Sequence, residues 1–177
     1  MAILGIDLGT TNSLACVWKD GKPELVKNSL GELLTPSVVC LDKEGNLAVG
    51  AVAKEQLITD PEDTAASFKR WMGTPKTFTL GGRTFTPPEL SALVLEKLRR
   101  DAEEALGEPV TEAVISVPAY FNDNQRSATK LAAQLAGLKA DRIINEPSAA
   151  ALAYRLVHGE GDACLIIFDF GGGTLDV

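Results

Sequence analysis

The chain has 177 residues, of which 45% are hydrophobic and 23% are charged, and its formal net charge is −7. This composition is typical of a globular protein with a sizeable core and does not favour disorder. Its basic runs are no longer than pairs such as Lys69-Arg70, so we expect no broad nucleic-acid-binding surface.

Cysteine usage and the amino terminus predict a soluble, cytoplasmic protein. The three cysteines, Cys16, Cys40 and Cys164, are widely spaced, and we expect them to be small buried side chains in a reducing compartment. The first residues lack the basic region of a signal peptide, and Asp7 interrupts their apolar run. The apolar run 163–168 is too short to span a bilayer, so no membrane association is expected.

In chain order, the residue patterns alternate between short strands and helices. Three strands at the start predict an antiparallel meander, and a later sequence of strand, helix, strand and helix predicts a mixed α/β sheet covered by helices. Two helix starts carry a capping box, at Thr86 with Glu89 and at Asn122 with Gln125. The predicted strands are 3–6, 14–18, 24–27, 38–41, 47–49, 113–117, 142–144 and 165–168, with a hairpin within 74–86, and the predicted helices are 51–59, 86–107, 122–137 and 145–157.

The two ends of the chain repeat one pattern. Leu4-Gly-Ile-Asp-Leu-Gly-Thr-Thr11 and Ile167-Phe-Asp-Phe-Gly-Gly-Gly-Thr174 each place an Asp at a strand tip, then an apolar residue, Gly and Thr. Backbone N–H groups of a Gly-rich turn can hold an anion, and an Asp at the strand tip can hold Mg²⁺ through water. Either turn alone could be an ordinary hairpin, but the matched pair favours binding of a triphosphate. The chain contains neither a GxxxxGK[ST] nor a GxGxxG motif.

Four stretches resemble the DnaK-type chaperones of the heat shock protein 70 family. The first and last alone would also fit the wider actin and sugar-kinase superfamily, and the middle two narrow the resemblance to the chaperones. The stretches are Gly5-Ile-Asp-Leu-Gly-Thr-Thr-Asn-Ser13, Val117-Pro-Ala-Tyr-Phe-Asn-Asp123, Asn145-Glu-Pro-Ser-Ala-Ala-Ala-Leu-Ala-Tyr154 and Phe168-Asp-Phe-Gly-Gly-Gly-Thr174.

The resemblance implies an α/β, ribonuclease-H-like lobe of an actin-like ATPase, with a mixed sheet and a small inserted α+β subdomain. It divides the chain into a first lobe (1–38 and 113–162), the inserted subdomain (39–112) and the start of a second lobe (163–177). The segment between Lys69 and Thr86 is shorter than in the main branch, which implies a specialised bacterial branch and puts the usual nucleotide-exchange partner in doubt.

The resemblance also implies the roles of individual residues. Lys69, Glu146, Asp169 and Thr174 would be catalytic, and Asp7 and Asp169 would lie near Mg²⁺. Pro118 and Arg126 would relay nucleotide state to a peptide-binding domain, whereas His158 matches no motif. Outside this context, Lys69 could be a solvated charge, Glu146 a helix-terminal residue and Pro118 a strand end. The implied phosphate-binding residues are Gly9, Thr10, Thr11, Asn12, Gly171, Gly172, Gly173 and Thr174.

By the same resemblance, the full-length protein would hydrolyse ATP to ADP and bind unfolded client peptides and a J-domain co-chaperone. The family's ATPase domain continues beyond Val177, so we expect the fragment to bind ATP weakly and to be inactive. We expect its last strand to pack along its own lobe or to mediate self-association. The alternatives are a sugar or acetate kinase and an actin-like filament protein. The 145–154 stretch disfavours both alternatives.

Overall fold

The computed structural model describes residues 2–159, 164–172 and 175–176. Among these residues, strands dominate the first half of the chain, and three of the four helices lie in the second half. In chain order the elements are β1 (Ile3–Asp7), β2 (Asn12–Lys19), β3 (Lys22–Leu25), β4 (Thr35–Pro36), β5 (Val38–Leu41), β6 (Leu47–Val49), α1 (Ala51–Thr59), β7 (Thr64–Ala66), a 3₁₀ helix (Phe68–Trp71), β8 (Phe78–Leu80), β9 (Arg83–Phe85), α2 (Pro87–Leu106), β10 (Glu112–Val117), α3 (Asp123–Leu135), β11 (Lys139–Asn145), α4 (Glu146–His158), β12 (Asp169–Phe170) and β13 (Leu175–Asp176).

The main sheet has the strand order β11-β10-β1-β2-β3, and β4 pairs with β2 at the loop end of that strand. β1 is parallel to β10, and β10 is parallel to β11, whereas β2 is antiparallel to both β1 and β3. The mixed α/β sheet predicted from the sequence is therefore confirmed. Its parallel strands β1 and β10 end at the same edge, where Asp7 lies opposite Ser116.

One face of the main sheet forms the core with α2 and α3. Alternate residues of β1 and β2 are buried, among them Leu4, Ile6, Ala15 and Val17, as expected for strands with one covered face. α2 packs against α3, and both predicted capping boxes are present at the helix starts. Each box satisfies backbone N–H groups that the first helical turn cannot satisfy itself.

The segment between β4 and α2 carries a small sheet, β6-β5-β7, covered by α1, and a separate hairpin of β8 and β9. Phe68 of the 3₁₀ helix contacts Phe78 edge-to-face, with ring centroids 6.5 Å apart. Buried side chains of this segment, such as Val39 and Leu80, belong to the same hydrophobic core as Leu4. The sequence patterns missed both β7 and the 3₁₀ helix, because three- and four-residue elements have no measurable periodicity.

Three of the sequence-based expectations were wrong in detail. Residues 165–168 are not a strand, because no backbone among the described residues pairs with them; the strand of this region, β12, begins at Asp169 and pairs with β13. β3 lies two residues earlier than predicted. Of the three free cysteines, Cys40 is buried, Cys16 is half-buried and Cys164 is exposed. Within the described residues, no helix is long and apolar enough to cross a bilayer.

Apolar side chains near the carboxyl end lie in solvent. α4 has no buried residue, and Leu156 on this helix is 65% exposed. Further along, Ile166 and Phe170 are each 82% exposed, although the loop after Phe170 contacts the rest of the chain, as described below. The expected self-association through this segment remains a prediction.

Candidate functional site

A tight loop joins β1 to β2 at one edge of the main sheet. Asp7 ends β1, and Asn12 begins β2. A Cβ atom on Gly9 would lie 2.0 Å from the carbonyl oxygen of Asn12, so the loop can close only with glycine at this position. We call residues 9–12 the first loop.

The second loop begins at Gly171 and lies against the first. A Cβ atom on Gly172 would lie 1.8 Å from Oγ1 of Thr11, so the two loops touch where the absence of a side chain leaves room. Gly173 and Thr174, which the sequence also assigned to this loop, lie outside the described residues. The described part of the second loop, Gly171 and Gly172, thus lies face to face with the first loop.

The two loops line a cavity of about 200 Å³. Two residues distant in sequence, Lys69 and Glu146, complete its wall. Every predicted catalytic, phosphate-binding or metal-binding residue that lies within the described ranges borders this cavity. Its lining consists of Asp7, Gly9, Thr10, Thr11, Asn12, Lys69, Glu146, Asp169, Gly171 and Gly172.

Lys69 and Glu146 form a buried ion pair across the cavity wall. Lys69 Nζ lies 2.7 Å from Glu146 Oε1, and only 7% and 14% of the two side chains are exposed. The ammonium group also lies 5.9 Å from the ring centroid of Phe121, within the range of a cation–π contact. The alternative of a solvated surface lysine is therefore wrong. A lysine held in this way offers a fixed positive charge to an anionic ligand.

The backbone before Lys69 is unusual. Ser67 adopts a left-handed conformation with φ of 56° and ψ of 21°, which side-chain-bearing residues rarely do. The chain turns sharply at this residue and enters the 3₁₀ helix, on which Lys69 is the second residue. Outliers of this kind concentrate at functional sites, where the surrounding structure holds them in place.

Carboxylates line the cavity on the side of the strand tips. Part of Asp7 is exposed to solvent, but its carboxyl group is surrounded by protein atoms, and this desolvation raises its pKa. The positive charge of Lys69 and a hydrogen bond from Ser116 lower the pKa and partly oppose this rise. Burial likewise raises the pKa of Glu146, against the opposing effect of Lys69. The Ser116 hydroxyl lies 3.3 Å from Asp7 Oδ1.

The carboxylate pair Asp7 and Asp169 suits a hydrated divalent cation. The charge of Asp169 contributes to the raised pKa of Asp7, so the two carboxylates repel each other across the cavity. A cation between them would relieve this repulsion. No group of three or more candidate ligands was found in the described part of the chain. Mg²⁺ is commonly bound by one or two carboxylates, with water molecules completing its coordination shell.

These pKa shifts predict opposite effects of acid on ligand binding and on stability. Because the raised pKa values make Asp7 and Glu146 protonate at higher pH than ordinary carboxyls, Mg²⁺-dependent nucleotide affinity should fall early as the pH is lowered from about 7. Because the folded protein holds these protons more tightly than the unfolded chain does, Asp7 and Glu146 contribute to the free energy of unfolding at low pH. This contribution is lost as the pH rises through their folded-state pKa values.

Calorimetric titrations and thermal melts over the same pH series would measure both effects. In Asp7→Asn, the ligand-free protein should lose the part of its pH-dependent stability that Asp7 contributes. A nucleotide affinity that stays constant down to the ordinary carboxyl range, about pH 4, would contradict the prediction.

Arg126, which the resemblance had already singled out, holds two other motif stretches together. Arg126 donates from Nε to the Phe121 carbonyl at 2.9 Å and from Nη2 to Asn145 Oδ1 at 2.7 Å. Arg126 thereby ties the segment after Pro118 to the residue preceding Glu146. A second cavity of about 190 Å³, lined by Pro118 and Phe121, shares Thr10 and Lys69 with the first. The Arg126–Asn145 hydrogen bond joins residues 19 positions apart, so sequence spacing alone could not reveal it.

The mixed α/β sheet thus carries the first loop at the end of β1, and Gly171 and Gly172 border the same cavity as that loop. The family model for the Hsp70 protein matches the chain in two stretches, residues 3–79 and 75–177. The chain therefore belongs to the Hsp70 family. This membership supports a chaperone nucleotide-binding domain and the actin-like fold implied by the sequence motifs.

Proposed function

We propose that this chain belongs to an ATP-hydrolysing chaperone domain, whose nucleotide state controls the binding and release of unfolded peptides. The observation that carries the proposal is the cavity in which both Gly/Thr loops meet the buried Lys69–Glu146 pair. Phosphoryl transfer to water depends chiefly on positioning and on neutralising charge, and this cavity offers groups for both.

Each group has a distinct role in this proposal. The N–H groups of the two loops hold the phosphates, and Lys69 neutralises charge on the transferred phosphoryl group. Asp7 and Asp169 would hold hydrated Mg²⁺, which would supply further neutralisation of the phosphate oxygens. Glu146, Asp169 and Thr174 orient the attacking water. Glu146 also fixes the position of the Lys69 ammonium through the 2.7 Å ion pair.

The remaining proposals concern domains and partners. Residues 1–38 and 113–162 form the first lobe, 39–112 the inserted subdomain and 163–177 the start of a second lobe. The full-length protein would act in the cytoplasm with ATP, unfolded clients and a J-domain co-chaperone. The specialised bacterial branch is likewise a proposal, which rests on the short hairpin segment between Lys69 and Thr86.

An ATPase assay of the full-length protein separates this function from its rivals. The activity should rise when an unfolded peptide is added and should not depend on sugars or acetate. Phosphorylation of a sugar or acetate would indicate a metabolite kinase instead. Activity that rises with protein concentration together with sedimenting polymers would indicate a filament protein.

We expect Arg126→Ala to weaken peptide stimulation of hydrolysis while basal hydrolysis persists. The substitution removes the hydrogen bonds that join the segment after Pro118 to Asn145, but it leaves the Lys69–Glu146 pair in place. Coupling between two sites is a free energy of its own and can be lost while each site survives.

The matched control is Arg100→Ala, which removes an arginine from an exposed ion pair on α2. Stimulation should be close to that of the wild type in the control and reduced severalfold in Arg126→Ala. Equal stimulation in both variants would exclude a coupling role for Arg126.

A further inference from the structure

Ser37, which does not line the cavity, forms two hydrogen bonds to the first loop. The Ser37 hydroxyl donates to the carbonyl oxygen of Gly9 at 2.8 Å, and the Ser37 N–H donates to the carbonyl oxygen of Thr11 at 2.8 Å. Ser37 follows directly after β4 and is 2% exposed. Two carbonyls of a four-residue loop are thus fixed by one buried residue.

A second serine completes the arrangement. The hydroxyl oxygens of Ser13 and Ser37 are 2.9 Å apart, and Ser13 is fully buried. A hydroxyl group has a single proton, and Ser37 uses its proton on the Gly9 carbonyl, which can only accept. Ser13 is therefore the donor to Ser37, and the bonds run in one direction from Ser13 through Ser37 to Gly9. Hydrogen bonds in such chains strengthen one another.

The bonded carbonyls determine the direction of the loop N–H groups. In a planar trans peptide, the carbonyl of one residue and the N–H of the next point in opposite directions. Bonding the carbonyls of Gly9 and Thr11 to Ser37 therefore turns the N–H groups of Thr10 and Asn12 away from Ser37. For Asn12, this is the side of β2 on which β1 lies, with Asp7 at its tip.

We propose that Ser37, supported by Ser13, is a positioning residue that orients the N–H groups of the first loop toward the phosphates of the bound nucleotide. The proposal rests on the function proposed above, since it specifies which part of the nucleotide the residue serves. Ser37 contacts the loop and does not line the cavity. Its loss should therefore affect phosphate recognition and leave adenosine recognition unchanged.

The test compares ADP and adenosine as ligands of the full-length protein by calorimetry. Removing one hydroxyl from a buried, hydrogen-bonded pair should weaken ADP binding about tenfold in Ser37→Ala. Adenosine affinity should not change, because adenosine has no phosphate for the loop to hold. Ser37→Thr, which keeps the hydroxyl, should restore much of the ADP affinity. Ser13→Ala should have a smaller effect than Ser37→Ala.

Ser91→Ala is the matched control, since Ser91 is also fully buried and its hydroxyl contacts Met72 Sδ at 3.6 Å and not the loop. This control should bind both ligands as the wild type does, even where its thermal stability falls. Equal losses for ADP and adenosine in Ser37→Ala, or an unchanged ADP affinity, would overturn the proposal, because a merely structural role predicts one or the other.

Amide hydrogen exchange of the ligand-free protein distinguishes this proposal from the function on which it rests. Exchange of residues 9–12 should be faster in Ser37→Ala than in the wild type and unchanged in Ser91→Ala. If the wild type bound neither ligand, the proposed function would fail, while faster loop exchange would still support the tethering of the loop by Ser37. Unchanged exchange in Ser37→Ala would overturn the tether itself.

Discussion

In the full-length protein, Lys69→Ala should bind ATP almost as tightly as the wild type and hydrolyse it about 10²–10³-fold more slowly. The Lys69 ammonium borders the cavity formed by both loops and is held there by Glu146 at 2.7 Å. Charge on the phosphoryl oxygens must be neutralised in the transition state, so the loss should fall on that state more than on the bound substrate. Single-turnover hydrolysis and equilibrium binding, measured separately, would test this.

The ion pair complicates this variant, because Lys69→Ala leaves the Glu146 carboxylate buried without its partner. Breaking a buried pair costs about 3–5 kcal/mol of stability, less where water enters. A double variant, Lys69→Met with Glu146→Gln, removes both charges and should recover part of that stability without recovering hydrolysis. Lys76→Ala, which alters a nearby lysine that does not line the cavity, is the control. Wild-type single-turnover rates in Lys69→Ala would exclude the catalytic role.

The sequence was sufficient to predict the features that rest on local patterns. The strands β1 and β2, the capping boxes at Thr86 and Asn122 and the glycine of the first loop each depend on neighbouring residues, and the structure contains them all. The repeat at the two ends of the chain also predicted that two similar loops would share a site. Their contact at Thr11 and Gly172 is consistent with that prediction.

Features that depend on tertiary contacts were beyond the sequence patterns. The patterns predicted no strand at Thr35-Pro36-Ser37, because proline disrupts strand periodicity, yet this segment pairs with β2 and supports the first loop. The Asp7–Ser116 bond joins residues 109 positions apart. Conversely, 165–168 has the apolar composition of a strand but no pairing partner among the described residues. Residues with high strand propensity form a strand only where another backbone lies alongside to pair with them.

The first loop itself leads to the second large expected effect, that of Gly9→Ala. The added Cβ would lie 2.0 Å from the carbonyl oxygen and 3.2 Å from the carbonyl carbon of Asn12, and both are backbone atoms. No side-chain rotation can relieve such a contact, so the loop backbone must move. Overpacking of this kind costs about 1–3 kcal/mol, and such a cost in the phosphate-binding form of the loop corresponds to roughly a five- to 150-fold loss in affinity for nucleotide phosphates.

Gly5→Ala, four residues earlier in β1, is the matched control for this substitution. Its Cβ would lie 2.8 Å from the sulfur of Cys16, which is a side-chain end, and 3.7 Å from the nearest backbone atom, the Cys16 carbonyl oxygen. The Cys16 thiol can rotate away from the added Cβ, and Cys16→Ala would remove it altogether. Gly5→Ala should therefore retain nucleotide affinity close to that of the wild type. Calorimetry with ADP on both variants would test this prediction. If Gly9→Ala bound ADP as tightly as Gly5→Ala does, the closed form of the loop would not be required for phosphate binding.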